Sequence, residues 1–248
     1  MKLRLLTYNI HKGFSPANRN FILSQIKESI RETHATLVCL QEVIGTHDGH
    51  AKNVEGWPEM SQLEYLADQT WKHYAYGKNA VYTEGHHGNA VLSKYPITFW
   101  ENEDASVNKL EQRGFLHAVI QVPEIGSVHV ISLHLNLFEN DRLIQLKQLC
   151  ARVRRMVPEN EPLLIAGDFN DWRKKAGPIL DEELGLKEAF VETKGQHART
   201  FPSVFPVVAL DRIYFRGLQC KNAGVIFSPL FGKLSDHLPL IAEFLPKA

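Results

Sequence analysis

Hard oxygen ligands and imidazoles gather at the ends of apolar runs in this chain, and no cysteine stands among them. Asn9 closes LLTYN, Glu42 closes VCLQE, and His134 ends VISLH. Asp168 and Asn170 follow LLIAG, and Asp236 and His237 open the last apolar run in SDHLPL. A strand end holds the base of a side chain rigidly while leaving its tip free. Carboxylate, amide and imidazole tips suit a Mg²⁺-type ion and an anionic oxygen rather than zinc or redox chemistry. The set points to metal-assisted hydrolysis of a phosphate ester.

Each residue also has a plainer reading. Glu42 leaving a buried strand reads equally as a charge reaching solvent. Asp168 and Asn170, two apart, share one face of extended chain, yet GDFN alone favours an Asx-type turn. His134 alone reads as a satisfied histidine at a sheet end, and His117 and His129 keep that reading. Arg113 in EQRGF opens a strand and can clamp a phosphate bidentately, although a surface arginine fits equally. His86 and His87 read as an edge loop near the cleft, because hard-ion sites seldom use such a pair. Arg173, Lys174 and Lys175 read as a solvated basic loop.

Elements that position these groups follow from hydrophobic periodicity. Residues 3–9 and 36–42 read as buried strands. Between them SPANRNFILSQIKESIRE supplies a helix, with Ile22, Ile26 and Ile30 on one face and a start near Ser15-Pro16. Residues 43–58 read as an ordered polar loop and 59–70 as helical. From 74 to 135 short strands are parted by proline and glycine. A helix over 139–157 carries Leu143, Leu146, Cys150, Val153 and Val157 as its apolar stripe. LLIAG is another buried strand, followed by a short helix near 176–184 and strands near 208–215, 222–227 and 239–245. Hairpin strands framed by helices suggest two packed sheets with helices outside.

Composition bounds the partners. The 248 residues carry 28 Lys plus Arg and 28 Asp plus Glu, so a generally basic surface for tracking long nucleic acid is absent. A chain of this length buries roughly 70–75% of the surface it exposes when unfolded, enough for one domain over 1–248 without a staple. Cys39, Cys150 and Cys220 form no disulfide framework or zinc site. Cys39 and Cys150 read as small core residues. No signal-peptide core and no membrane-spanning run is visible, so a cytoplasmic protein is expected.

TYNI, LQEV, GNAVLSKYPI, SLHL, GDFN, LDRIY and SDHLPL, in this order, resemble the endonuclease/exonuclease/phosphatase superfamily, which includes the deoxyribonuclease I-like enzymes. The match runs from Leu5 to about Phe244. NIHKG, GHHGNAVLSKYP, GDFNDWR and ARTFP…LDRIY resemble its bacterial YbhP-like branch. The resemblance implies an α+β fold, a four-layered αββα sandwich of two mostly antiparallel sheets, with the site at one end of both. It implies phosphoester cleavage with Mg²⁺, or Mn²⁺ in its place. It makes Glu42 and Asp236 metal ligands and Asp168 the group that orients or deprotonates water. Asn170 then holds that water or the phosphate, and His134 and His237 stabilise developing charge, with Asp211 fixing His237. Asn9, Asn89 and Arg113 become substrate contacts. For His134 the suggested carboxylate partner is Glu84. Some nuclease branches carry an acid two residues after the motif asparagine; here His11 stands there, followed by Lys12, which weakens a two-metal reading.

The expected function is a phosphodiesterase with a nucleotide or phospholipid substrate. A DNA or RNA nuclease is the alternative, and a non-catalytic interaction module is the third. Nucleic acid and membrane phospholipid both stay open as partners, and oligomeric state is not legible.

Overall fold

Strands such as LRLLTYN and LLIAGD are apolar on both faces, so each needs packing above and below. The structure, a computed structural model, describes residues 2–228 and 230–247 and provides that packing as four layers. Its strands run in chain order as β1 (Leu3–Asn9), β2 (Leu37–His47), β3 (His73–Tyr82), β4 (Gly85–Ser93), β5 (Ile97–Asp104) and β6 (Gly114–Val122). They continue as β7 (Gly126–His134), β8 (Leu163–Asp168), β9 (Lys187–Glu188), β10 (Asp211–Arg216), β11 (Leu218–Val225) and β12 (Leu240–Pro246). The helices are α1 (Leu23–Glu32), α2 (Asp48–Asn53), α3 (Gln62–Ala67), α4 (Glu139–Met156), α5 (Ala176–Leu184), α6 (Ala189–Lys194) and α7 (Phe231–Leu234).

One six-stranded sheet has the order β11-β12-β1-β2-β4-β3, and the other β5-β6-β7-β8-β10-β9. Pairing is antiparallel except for β1–β2 and β7–β8. Parallel neighbours need a long crossover, and α1 and α4 supply the two crossovers. The expected sandwich of mostly antiparallel sheets is thus the fold that forms. No helix among the described residues is long and apolar enough to cross a membrane.

Period-two alternation divides each central strand between two cores. Leu3, Leu5, Leu37 and Cys39 face Leu116, Val130, Leu164 and Ala166 between the sheets. Their neighbours Leu6, Tyr8, Val38 and Leu40 turn outward to Ile26, Ile30, Leu63 and Leu66 of α1 and α3. On the other outside, Leu163 and Ile165 meet Leu146, Leu149, Cys150 and Val153 of α4. Followed toward one end, the inward residues change from apolar to small polar to chemically active: Leu5, Thr7, Asn9; Cys39, Gln41; Val130, Ser132, His134; Ala166, Asp168. Buried Gln41 donates to Thr7 Oγ1 and to Ser132 Oγ, each at 3.3 Å, tying the sheets together below the active end.

Gly167 (φ 151°) sets how closely β7 and β8 approach, because a Cβ there would stand 1.9 Å from the Leu133 carbonyl oxygen. Gly167→Ala is therefore expected to cost roughly 3 kcal/mol in denaturant unfolding, since two paired strands must part. An unchanged midpoint and slope would contradict that close approach.

Several local expectations are corrected. The first helix begins at Leu23, not near Ser15; residues 11–13 and 16–18 instead form short 3₁₀ turns with left-handed Lys12 and Ala17. Pro16 opens the second turn, and Phe14 bridges to Phe21 before the helix can start. The 43–58 stretch is not a plain loop: β2 continues to His47, whose Nδ1 accepts the His50 backbone N–H at 3.1 Å and caps α2. His86 and His87 lie within β4, paired to β2, and not in an edge loop. The helix expected over 59–70 narrows to α3, started by a Ser61–Glu64 capping box.

Candidate active site

At the polar end of the inter-sheet layer lies a cleft of about 510 Å³, and Asn9, Glu42, Arg113, His134, Asp168, Asn170, Asp236 and His237 all line it. Asn9, His134 and Asp168 arrive there by strand alternation alone. Glu42 does not. Next to inward Gln41, it would face the opposite side in a regular strand. The β2–β4 register slips between Leu40 and Val43, and Glu42 takes φ 58°. This bulge turns its carboxylate into the cleft. Left-handed backbone at a non-glycine residue is a strained conformation that the surroundings must enforce. Glu42 Oε2 is buried with no hydrogen-bond partner, and Lys12 Nζ stands 3.9 Å from it.

Asp168 is the hub. Its Oδ2 accepts from Asn9 Nδ2 at 3.3 Å and lies 3.5 Å from His134 Nε2 and 3.6 Å from His237 Nε2. Its Oδ1 accepts the Asn170 backbone N–H at 3.0 Å. Burial pushes this carboxyl up to about 6, helped by the charge of Asp211 and opposed by His237 and the hydrogen bonds. Asn170 is not in extended chain as its two-residue spacing suggested, because β8 stops at Asp168 and Asn170 adopts φ 49°. The Asx-type turn and the cleft position turn out to be one arrangement. Asn170 Nδ2 donates to the Leu135 carbonyl at 2.9 Å, which locks the turn.

His237 Nδ1 lies 2.9 Å from Asp211 Oδ2, and that same oxygen accepts from Thr200 Oγ1 at 2.5 Å. Asp211 stands behind the imidazole, buried and away from the cleft lining. Burial opposes a charge on His237, but Asp211 and Asp168 outweigh it and hold the imidazole up at about 10. His237 is thus a cation at neutral pH. His134 is its counterpart: burial, with the cations Arg113 and His237, holds it well below the ordinary histidine value. The two imidazoles flank one carboxylate in opposite charge states.

Asp211→Asn removes the main counter-charge of His237. The imidazole is expected to fall from about 10 toward the ordinary histidine value, by histidine proton-NMR titration. Turnover should drop on the order of 10²-fold, most steeply above the new value where the proton is gone. A titration curve that does not move would contradict the pairing.

Two expectations need correction. Glu84 is not the partner of His134: it lies 3.9 Å from His47 Nδ1, whereas His134 faces Asp168 across the paired strands β7 and β8. Asn89 lies beneath the cleft and does not line it; its Nδ2 donates to Gly114 O at 3.0 Å and Ser132 O at 3.4 Å, bridging the sheets. Arg113 does reach the cleft, but its Nη2 is held by Glu111 Oε1 at 3.1 Å. His117 and His129 keep their structural reading, bonded to each other at 2.8 Å, with Glu161 2.7 Å from His129.

Sequence reasoning missed the apolar rim formed by Leu137, Trp172, Phe201, Val208 and Leu210. A visible signal existed: the stretch TFPSVFPVVAL carries apolar residues in a segment that two prolines bar from being a regular strand. Trp172 is 46% exposed and stacks on the Arg142 guanidinium at 4.5 Å.

Cation binding has two places to go. Ligand atoms of Asp168, Asp211 and His237 lie within 4.8 Å of one another. A divalent ion there would meet the charge already on His237. Glu42, whose Oε2 has no hydrogen bond and the Lys12 ammonium 3.9 Å away, and Asp236, on the same cleft, offer hard carboxylate oxygens.

Residues 6–237 match the Endonuclease/Exonuclease/phosphatase family. The chain is 48% identical over 241 residues to YbhP, an uncharacterized protein of Escherichia coli strain K12, covering 97% of this chain and 95% of that one. Among solved structures it is similar to an endonuclease/exonuclease/phosphatase from Beutenbergia cavernae, at TM-score 0.82 and 20% identity, over 100% of this chain and 72% of that one. It is also similar to a mannosyl-6-phosphatase from Bacteroides thetaiotaomicron, at TM-score 0.75 and 16% identity, over 98% and 99% of the two chains. With the sandwich, the cleft and this match in agreement, the chain belongs to the endonuclease/exonuclease/phosphatase family, in a branch shared with YbhP.

Proposed function

We propose that this protein is a divalent-metal-dependent phosphodiesterase that uses water as its nucleophile. The observation that carries the reading is Glu42, whose Oε2 is forced into the cleft on left-handed backbone with no hydrogen bond and with the Lys12 ammonium 3.9 Å away. A buried carboxylate oxygen without a hydrogen bond is costly, so its persistence supports a ligand role. Glu42 and Asp236 would hold Mg²⁺, or Mn²⁺ in its place. Bound there, the ion would polarise a phosphate oxygen as a Lewis acid.

The remaining chemistry falls to the chain. Asp168, within reach of two imidazoles and Asn9, takes a proton from the attacking water. Asn170, whose Nδ2 is spent on Leu135, keeps Oδ1 as an acceptor to hold that water. Cationic His237 and neutral His134 donate to the phosphoryl oxygens as charge builds on them. Arg113, braced by Glu111, adds a fixed positive group at the edge.

A nuclease remains the second reading, favoured by the exposed Trp172 at the cleft mouth, where a base could stack. Steep loss of DNA or RNA binding with added salt would support it, and insensitivity would count against it. The main test is hydrolysis of bis-p-nitrophenyl phosphate, DNA, RNA, phospholipid and sugar phosphate with and without Mg²⁺. Release from a diester that stops with chelator and returns with Mg²⁺ or Mn²⁺ is expected. Absence of metal-dependent release from every diester would overturn the proposal.

A further inference from the structure

A second recess of about 560 Å³ adjoins the catalytic cleft, and its walls are rings. Phe14, His50, His47, Tyr82 and His87 follow one another around it, with successive ring centroids 5.2, 3.7, 5.6 and 5.9 Å apart. Trp57 backs this wall, 5.1 Å from His50 and 4.9 Å from Phe21. Tyr82 is 38% exposed, so the wall reaches solvent and a ligand can enter.

Lys12 joins the two spaces. It lines the recess, while its Nζ lies 3.9 Å from Glu42 Oε2 in the cleft. Its backbone is left-handed at φ 59°, and buried Gln62 enforces that shape. Gln62 Nε2 donates to Lys12 O at 2.9 Å, and its Oε1 accepts from Ile44 N at 2.9 Å. The loop is therefore clamped to β2, with the ammonium held at the junction.

The chemistry selects among ligands. A metal would need convergent nitrogens, but His47 Nδ1 is spent on the His50 N–H and the two rings stack face to face. A bare anion would meet one ammonium and a wall of rings. Burial holds the His50 imidazole below its ordinary value, which favours an uncharged stacking surface. A flat, uncharged aromatic ring attached to a phosphate satisfies both the wall and Lys12.

We propose that this recess is a stacking subsite for a nucleobase, so that the phosphoester cleaved beside Glu42 belongs to a nucleotide, with Lys12 on a phosphate oxygen between base and reaction centre. This rests on the phosphoester-hydrolase reading of the cleft and narrows its substrate class.

Calorimetric titration with AMP and with ribose 5-phosphate, in Mg²⁺, isolates the base because the two share the sugar phosphate. AMP should bind on the order of 10-fold tighter, the size of one base stacked on aromatic rings. Tyr82→Ala and His50→Ala should each erase most of that preference and leave ribose 5-phosphate binding unchanged. Tyr82→Phe, which keeps the ring, should retain it. Equal affinities, failure of AMP to bind, or a preference that survives both alanine substitutions would overturn the subsite. Turnover of methyl p-nitrophenyl phosphate, run in parallel, separates the two readings. If it stays metal-dependent while the AMP preference is missing, only the subsite fails. If the preference is present without any turnover, the hydrolase reading fails and the subsite stands.

Discussion

Asp168→Asn should lower kcat on the order of 10²–10⁴-fold, the range for removing a general base. It should also erase the acid limb of the pH profile. Burial lifts the Asp168 carboxyl to about 6, so in the unsubstituted protein activity should climb as pH rises through that value. Below it the carboxyl holds its proton and cannot accept another from water. Asparagine matches the carboxylate in size and keeps one oxygen for the Asn170 N–H while giving up the Asn9 contact, so loss of activity with an unchanged unfolding midpoint would report the missing base rather than a collapsed cleft. Steady-state rates from pH 5 to 8 at saturating Mg²⁺ check both effects, a window of about one unit below and two above the expected limb. A variant with near-normal turnover would remove Asp168 from the mechanism.

Glu42→Gln should be comparably severe through a different step. The amide keeps the volume and the bulge but cannot offer an anionic oxygen to a hard cation. Mg²⁺ affinity by calorimetry should weaken by about 10²-fold or more, beyond the loss typical of an outer-shell change. Activity should fall with it and recover only in part at high Mg²⁺. Asp168→Asn should leave metal affinity nearly intact. That separation is the useful part: one substitution disables metal binding, the other proton transfer. If both variants bind Mg²⁺ like the unsubstituted protein, the ion does not sit on Glu42.

Much of this was legible in the chain because burial on both faces writes itself as continuous apolar runs. LRLLTYN, LVCLQ and LLIAGD had to be central strands, and the polar residues ending them had to lie at one end of the sandwich. What could not be read was anything decided across strands. The bulge at Glu42 depends on the register of β4, which the local sequence of β2 does not contain. The pairing of His134 with Asp168, and not Glu84, follows from the parallel β7–β8 contact. Asn89 looked like a substrate contact because its motif matched, but its amide is spent holding two sheets together. The place of Lys12 likewise depends on Gln62, fifty residues away, which clamps its loop beside Glu42.

Anomalous diffraction from a manganese-soaked crystal tests the central assignment most directly. The assignment requires a peak bonded to Glu42, in the cleft shared with Asp236. A peak seated instead among Asp168, Asp211 and His237, or no peak in the cleft at all, would contradict it.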